Sequence, residues 1–102
     1  MSSKNVFRKR IKDNPGLTTF QKKVLIATMD IPKGGVRSYA WVAGKAGFPG
    51  AFRAAGQALK KNPYAPDVPC HRVVASDGTI GGYSGGSRKK KRLLKEEGVR
   101  GY

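Results

Sequence analysis

Cys70 and His71 are the only cysteine and the only histidine of the chain, and they stand side by side in the segment VPCHRVV. A thiol acts as a nucleophile in its thiolate form, and an imidazole can take up the proton near neutral pH. The pair is therefore compatible with nucleophilic chemistry, but a lone cysteine is more often a small buried hydrophobe, and the residues alone leave both alternatives open. Neighbouring side chains on a strand point to opposite faces, so a direct hydrogen bond between the two is not expected.

The composition limits the partners of such a site. The 102 residues include 21 Lys and Arg against 6 Asp and Glu, a formal net charge of +15, which predicts nucleic acid as the partner. One cysteine and one histidine cannot form the usual structural zinc site, and no cofactor is expected. A cysteine without a disulfide partner is typical of intracellular proteins, here cytoplasmic or nucleoid-associated. No apolar run approaches the roughly 20 residues that span a membrane. The protein is expected to be a monomer.

Turn and capping signals predict the elements that position the pair. Residues 1–16 are basic and end in Asn-Pro-Gly, which predicts a flexible arm before a single domain at 17–102. Thr18 and Gln21 have the spacing of a capping box, and Ser38 is a candidate N-cap. Helices are predicted over about 19–29, 39–46, 50–61 and 88–97.

The second and third of these helices are separated by the glycine-containing turn at 47–50, which is typical of a helix-turn-helix whose second helix meets DNA. After the Cys-His pair, residues 72–75 and 79–82 flank Asp77-Gly78 and predict a short β-hairpin. The predicted fold is therefore mainly α with a short β-hairpin, a winged-helix-like helix-turn-helix DNA-binding domain.

Four segments occur in an order that resembles the C-terminal catalytic domain of O6-alkylguanine-DNA alkyltransferases. They are IPKGGVRSYAWVA, GFPGAFRAAGQALKKNP, VPCHRVVASDGTIGGYSGG and KKKRLLKEEG, and the resemblance spans about residues 18–98. It implies repair of O6-alkylguanine in double-stranded DNA, with Cys70 taking the alkyl group of a flipped base once, as a thioether. In the family a water carries the thiol proton to the histidine, here His71, and a carboxylate before a glycine orients that histidine, here Glu97.

The resemblance also implies roles for residues around the base. Val73 would offer its backbone carbonyl to the guanine amino group, while Tyr83 and Ser84 would form the loop that walls the pocket. Asn62 would tie the recognition helix to the active-site loop. The role of Arg72 stays open between keeping the surroundings positive and a structural one.

Further residues would handle the duplex. Tyr39 would help to rotate the nucleotide, and Arg53 would fill the gap that it leaves, from the minor groove. Ala54 and Gly56 are small enough to let the helix approach closely. Phosphate contacts are expected from basic residues outside the pocket, including Lys45, Lys60, Lys61 and residues 88–92.

Two departures from the family pattern leave alternatives open. Most transferases of this family have an additional N-terminal domain, which is not expected here, and Phe52 stands where a small residue is common. Alkyltransferase-like proteins are short, bind alkylated DNA without repairing it and usually replace the cysteine with Trp or Ala, whereas this chain keeps Cys70. A lesion-binding protein and a generic helix-turn-helix regulator therefore stand beside the transferase.

Overall fold

The computed structural model describes residues 3–64, 67–83 and 86–102, and within them the fold is mainly helical, as predicted. None of the described helices is long and apolar enough to cross a lipid bilayer. The elements are α1 (Ser3–Asp13), α2 (Thr19–Thr28), β1 (Arg37–Ser38), α3 (Tyr39–Lys45), α4 (Phe52–Lys60), a 3₁₀ turn at Cys70–Arg72, β2 (Val73–Val74) and α5 (Ser87–Glu96).

Local capping sets where α2 and α3 begin. The backbone N–H of Gln21 donates to Thr18 Oγ1 at 3.1 Å, and the backbone N–H of Thr18 donates to Gln21 Oε1 at 2.9 Å, which confirms the capping box. The hydroxyl of Ser38 accepts from the backbone N–H of Trp41 at 3.0 Å, so Ser38 is the N-cap of α3 as expected. Tyr39 is thereby held at the first turn of α3.

Helices α2, α3 and α4 pack together around one apolar core. The turn between α3 and α4 uses positive φ at Gly47 and Gly50, which L-residues with a Cβ rarely adopt. The buried side chains are small on the α4 side, so the helices approach closely. The core of these three helices includes Val24, Leu25, Val42, Ala43, Ala55 and Leu59.

The predicted β-hairpin is wrong in its pairing. The Asp77-Gly78 turn does form, with the N–H of Ala75 donating to the carbonyl of Thr79 at 3.1 Å. However, β2 pairs in parallel with β1, in the register Arg37 with Val73. Residues 79–82 were expected to form the second strand of the hairpin. Instead, the carbonyl of Gly82 accepts hydrogen bonds from the Tyr39 side chain of α3 and from the Lys90 side chain of α5. Strand pairing therefore joins the start of α3 to the residues that follow the Cys-His pair.

The prediction of a flexible arm at residues 1–16 is also wrong for the residues that the structure describes. Phe7 and Ile11 are one helical turn apart, so α1 presents one apolar stripe. Ile11 is fully buried in the core, and Phe7 meets the Tyr64 ring edge-on at 6.3 Å between centroids. Arg8 of α1 also forms a 2.8 Å ion pair with Asp30. The high basic content of this segment favoured the interpretation as an arm, whereas the spacing of Phe7 and Ile11 is that of a helix.

We expect Ile11→Ala to lower the free energy of unfolding by about 2–5 kcal/mol, because it removes a fully buried side chain. Urea unfolding followed by circular dichroism measures the change. Val6→Ala is the matched control, since Val6 lies on the same helix and is 39% exposed. Equal stability of the two variants would contradict the packing of α1.

Candidate active site

Cys70 lies at the wall of a narrow cavity beneath α4. Its side chain is almost fully buried, and the cavity has a volume of about 10 Å³, roughly the room of one water molecule. The 3₁₀ turn that begins at Cys70 directs the chain from α4 into β2. The other residues that line the cavity are Tyr39, Gly56, Leu59, Lys60, Gly82 and Tyr83.

The surroundings of Cys70 act on its pKa in opposite directions. Burial raises the pKa of the thiol, while the Asn62 and Tyr83 side chains and the charge of Lys90 favour the thiolate. Burial is the larger effect, so the group is a thiol at neutral pH. A reaction at Sγ consequently needs a group that removes the proton as the new bond forms.

His71, Glu97 and Arg72 form one connected polar chain behind Cys70. His71 Nε2 lies 3.0 Å from Glu97 Oε1. Arg72 donates to both oxygens of the same carboxylate, from Nε at 2.9 Å and from Nη2 at 2.6 Å, and its Nη1 donates to the carbonyl of Ile31 at 2.9 Å. The hydrogen bonds from Arg72 are the main reason that the pKa of Glu97 is lowered. Arg72 therefore has a structural role. It orients the Glu97 carboxylate, and that carboxylate orients the His71 ring.

The same geometry fixes the tautomer of His71. Burial lowers the pKa of His71 despite the opposing influence of Glu97, so the imidazole is neutral at neutral pH. Because an ionised carboxylate only accepts, Nε2 has the hydrogen and Nδ1 has the lone pair. Nδ1 is buried and has no hydrogen-bond partner among the described residues. His71 thus presents an unused proton acceptor next to the cysteine in sequence.

Lys90 is the residue of this site that the sequence analysis missed. It was assigned to a run of phosphate-binding residues, yet its side chain is fully buried. Its Nζ donates to the carbonyls of Val73 at 2.6 Å and Gly82 at 3.0 Å, and approaches the Tyr39 hydroxyl at 3.4 Å. Burial lowers the pKa of Lys90 to about 8. The helical spacing could have indicated this burial, because Lys90 lies one turn before the apolar Leu94 and therefore on the same face of α5.

Lys90 draws together the Val73 carbonyl, the Gly82 carbonyl and the Tyr39 hydroxyl, and the resemblance had implied roles at the base for Tyr39 and Val73. The Tyr39 hydroxyl donates to the Gly82 carbonyl at 3.2 Å, which joins α3 to the loop before α5. Gly81 is required there, since an added Cβ would lie 2.7 Å from the Tyr39 hydroxyl oxygen, at a φ of +74°. Val73 is fully buried, with its carbonyl on Lys90, and the expected pocket residue Ser84 lies outside the described residues.

Asn62 links the end of α4 to the segment before Cys70. Its Nδ2 donates to the carbonyl of Val68 at 3.0 Å, and its Oδ1 accepts from the backbone N–H of Tyr64 at 2.9 Å. Asn62 is buried, so both of its polar ends are satisfied by backbone groups. Asn62 therefore follows the last turn of α4 and anchors the backbone of the segment that leads to Cys70.

Most of the residues expected to meet DNA lie on α4. Arg53, Ala54 and Lys60 are exposed on α4, and Gly56 lies beside the Tyr39 ring. Lys45 is exposed at the far end of α3, in the last turn of the helix. In the described part of the chain no group of three or more metal-ligating side chains occurs.

We expect Glu97→Gln to lower the free energy of unfolding by about 2–4 kcal/mol, because a neutral amide loses the charge-assisted pair with Arg72. The carboxylate of Glu97 has a lowered pKa, so this loss is present at neutral pH and disappears as acidification protonates the carboxylate. Chemical unfolding at several pH values measures it. The control Glu96→Gln should change stability by less than about 0.5 kcal/mol, since Glu96 is exposed. An equal effect of both variants would contradict the polar chain.

We expect one lysine to titrate near pH 8, well below the ordinary lysine value, when the ¹³Cε shifts are followed by NMR. The signal should be absent from Lys90→Gln and present in Lys91→Gln. Because the folded state releases this proton before the unfolded state does, the contribution of Lys90 to stability rises with pH between about 8 and 10.5. The raised pKa values of Cys70, Tyr39 and Tyr83 act in the opposite direction. Titration of all lysines at the ordinary value would show that Lys90 is not buried.

Comparisons with known proteins show the family of the chain. The family model described as the 6-O-methylguanine DNA methyltransferase DNA binding domain matches residues 19–99. The methylated-DNA–protein-cysteine methyltransferase of Methanothermobacter thermautotrophicus is 47% identical over 89 residues, which are 87% of this chain and 49% of that protein. The chain thus spans about half the length of the curated relatives that it matches.

Several solved structures share the fold of this chain. The crystal structure of Mycobacterium tuberculosis OGT in complex with DNA has a TM-score of 0.78 and 46% identity, covering 80% of this chain and 50% of the other. The structure of S. pombe Atl1 in complex with damaged DNA containing O6-carboxymethylguanine has a TM-score of 0.72 and 40% identity, covering 81% and 79%. On the family match, the identity and the shared fold, the chain belongs to the 6-O-methylguanine DNA methyltransferase family, as its DNA-binding domain.

Proposed function

We propose that the chain repairs DNA in a single turnover, by moving an alkyl group from O6 of guanine to Sγ of Cys70. The observation that supports this most directly is the polar chain from Arg72 through Glu97 to His71, which leaves Nδ1 of a neutral imidazole as proton acceptor. A structural role alone would not require an unpartnered buried acceptor in the residue that follows a buried thiol.

The proposed reaction is a displacement at the alkyl carbon. The Cys70 thiol gives its proton through a water to His71 Nδ1, and Sγ attacks the alkyl carbon. The bond from that carbon to O6 breaks, and its electron pair returns to the base, which takes up one proton to become guanine. Glu97 stabilises the imidazolium that forms in between, as the orienting carboxylate does in other histidine-assisted nucleophiles. The thioether remains on Cys70, so each chain acts once.

The base would reach Cys70 by leaving the helix, since a stacked base cannot enter a buried cavity. In this proposal α4 lies in the minor groove, Tyr39 helps to turn the nucleotide and Arg53 occupies the vacated position. The Val73 carbonyl has two lone pairs, so it can accept from the guanine amino group while it keeps Lys90. Tyr83 lines the cavity on the other side.

Charge supports duplex DNA as the partner. The net charge is +15, and the side chains of Lys45 and Lys60 are exposed. Phosphate contacts by such side chains give affinity without sequence preference and make binding fall steeply with salt. A sequence-specific helix-turn-helix regulator would instead read base edges and bind one DNA sequence in preference to others.

A second candidate is a lesion-binding module that performs no transfer. The similarity to S. pombe Atl1 favours it, because the structure of that protein contains damaged DNA with O6-carboxymethylguanine. The retained cysteine beside an unused proton acceptor favours the transferase instead. The two candidates share the flipped base and differ only in what happens at Sγ.

We expect the protein to gain the mass of one methylene group after incubation with a duplex containing O6-methylguanine, measured by intact-mass spectrometry. Peptide mapping should place the added group on Cys70. Cys70→Ser should gain no mass and still bind the modified duplex. Glu97→Gln should slow the transfer, while Glu96→Gln should leave its rate unchanged.

Tight binding of the modified duplex by the wild-type protein without any gain in mass would establish the lesion-binding candidate. Equal affinity for modified and unmodified duplex, also without a gain in mass, would contradict both.

A further inference from the structure

Phe52 is a large apolar side chain that the fold leaves in solvent. It is the first residue of α4, and 47% of it is exposed, more than Val6 or Trp41, the two other exposed large hydrophobes of the described residues. The residues of α4 that are buried in the core are Ala55, Ala58 and Leu59, and Phe52 is not one of them. The guanidinium of Arg53 lies over its ring, 5.9 Å from the ring centroid.

The position of Phe52 relative to the cavity is the second observation. Residues 52, 56 and 60 are spaced by one helical turn and so lie along one face of α4. This face forms one wall of an open groove of about 320 Å³, with Tyr39 and Gly82 on the other wall. Tyr39, Gly56, Lys60 and Gly82 also line the cavity at Cys70, so the groove opens directly onto the candidate active site.

We propose that Phe52 is an apolar wedge, which enters the base stack next to the flipped nucleotide and works as a pair with Arg53. This inference rests on the proposed function, because it takes α4 to lie against the duplex. Apolar side chains such as Phe can insert between base steps in the minor groove and kink the duplex. Unstacking of a base step costs a few kcal/mol, and an aromatic ring that covers an exposed base offsets part of that cost.

The two side chains divide the task by their chemistry. Phe52 offers a flat apolar ring to the base left without a stacking neighbour. Arg53 offers hydrogen-bond donors to the base left without its partner, and its positive charge is favoured among phosphates. The 5.9 Å separation of guanidinium and ring keeps them adjacent at the start of α4. A small residue at position 52 could supply no such stacking surface.

The charge of the groove favours DNA over a protein as the occupant of this surface. Arg53 and Lys60 flank the apolar ring, and none of the described residues that line the groove is acidic. A second copy of a chain with a net charge of +15 would be repelled from this surface. The apolar exposure therefore lies where a polyanion with stacked rings would meet the protein.

The experiment uses the full chain with Cys70→Ser, so that no transfer contributes to binding. The duplex contains O6-methylguanine beside 2-aminopurine, whose fluorescence rises when it unstacks. We expect Phe52→Ala to weaken binding by about ten-fold, in line with the loss of one stacked base, and to reduce the fluorescence rise. Phe52→Trp should retain both. Val6→Ala is the matched control, because it removes another exposed apolar side chain away from the groove.

Unchanged affinity and fluorescence in Phe52→Ala would overturn the wedge, and so would an equal loss in Val6→Ala. A concentration-dependent dimer that Phe52→Ala dissociates, with DNA binding unchanged, would also overturn it and identify a second copy as the occupant. Circular dichroism of each variant checks that α4 is intact. The outcome is separate from that of the transfer, since a chain that gains no methylene can still lose lesion affinity with Phe52→Ala.

Discussion

The buried ammonium of Lys90 is the interaction on which the arrangement of the site depends. It enters from α5 and donates to the carbonyls of Val73 and Gly82, close to the Tyr39 hydroxyl. A buried cation without such partners would be very unfavourable, so these groups must lie where the ammonium can reach them. One side chain thereby sets the distance between the strand after Cys70, the loop before α5 and the first turn of α3.

Helix α5 also supplies a negative charge, at its C-terminal end. Glu97 follows Lys90 by two helical turns and so lies on the same face, at the end of the helix. Its carboxylate is held by Arg72 and in turn holds His71. The cation favours the thiolate, and the carboxylate accepts from Nε2 of His71, which leaves Nδ1 as the acceptor; burial, against the influence of Glu97, keeps the imidazole neutral. The placement of a single helix therefore determines both the shape of the cavity and its acid–base character.

Local signals predicted much of the fold correctly. The capping box at Thr18, the N-cap at Ser38 and the helix-turn-helix at α3 and α4 each depend on residues close together in sequence. The errors arose where distant parts of the chain compete. The Asp77-Gly78 turn forms, but the arm after it is held by Tyr39 and Lys90 and does not continue a hairpin. Likewise, α1 is stable because Ile11 enters a core supplied by other helices.

The sequence by itself determined which side chains are available for chemistry: one thiol, one imidazole and an acid before a glycine near the end of the last helix. Order along the chain and resemblance to known motifs were enough to group them. Only the tertiary structure decided that Lys90 is buried, that Arg72 holds Glu97 and that Nδ1 of His71 is the acceptor. Burial and hydrogen-bond geometry depend on contacts between residues far apart in sequence, and one lysine in a basic run looks like the next until a helix turns it inward.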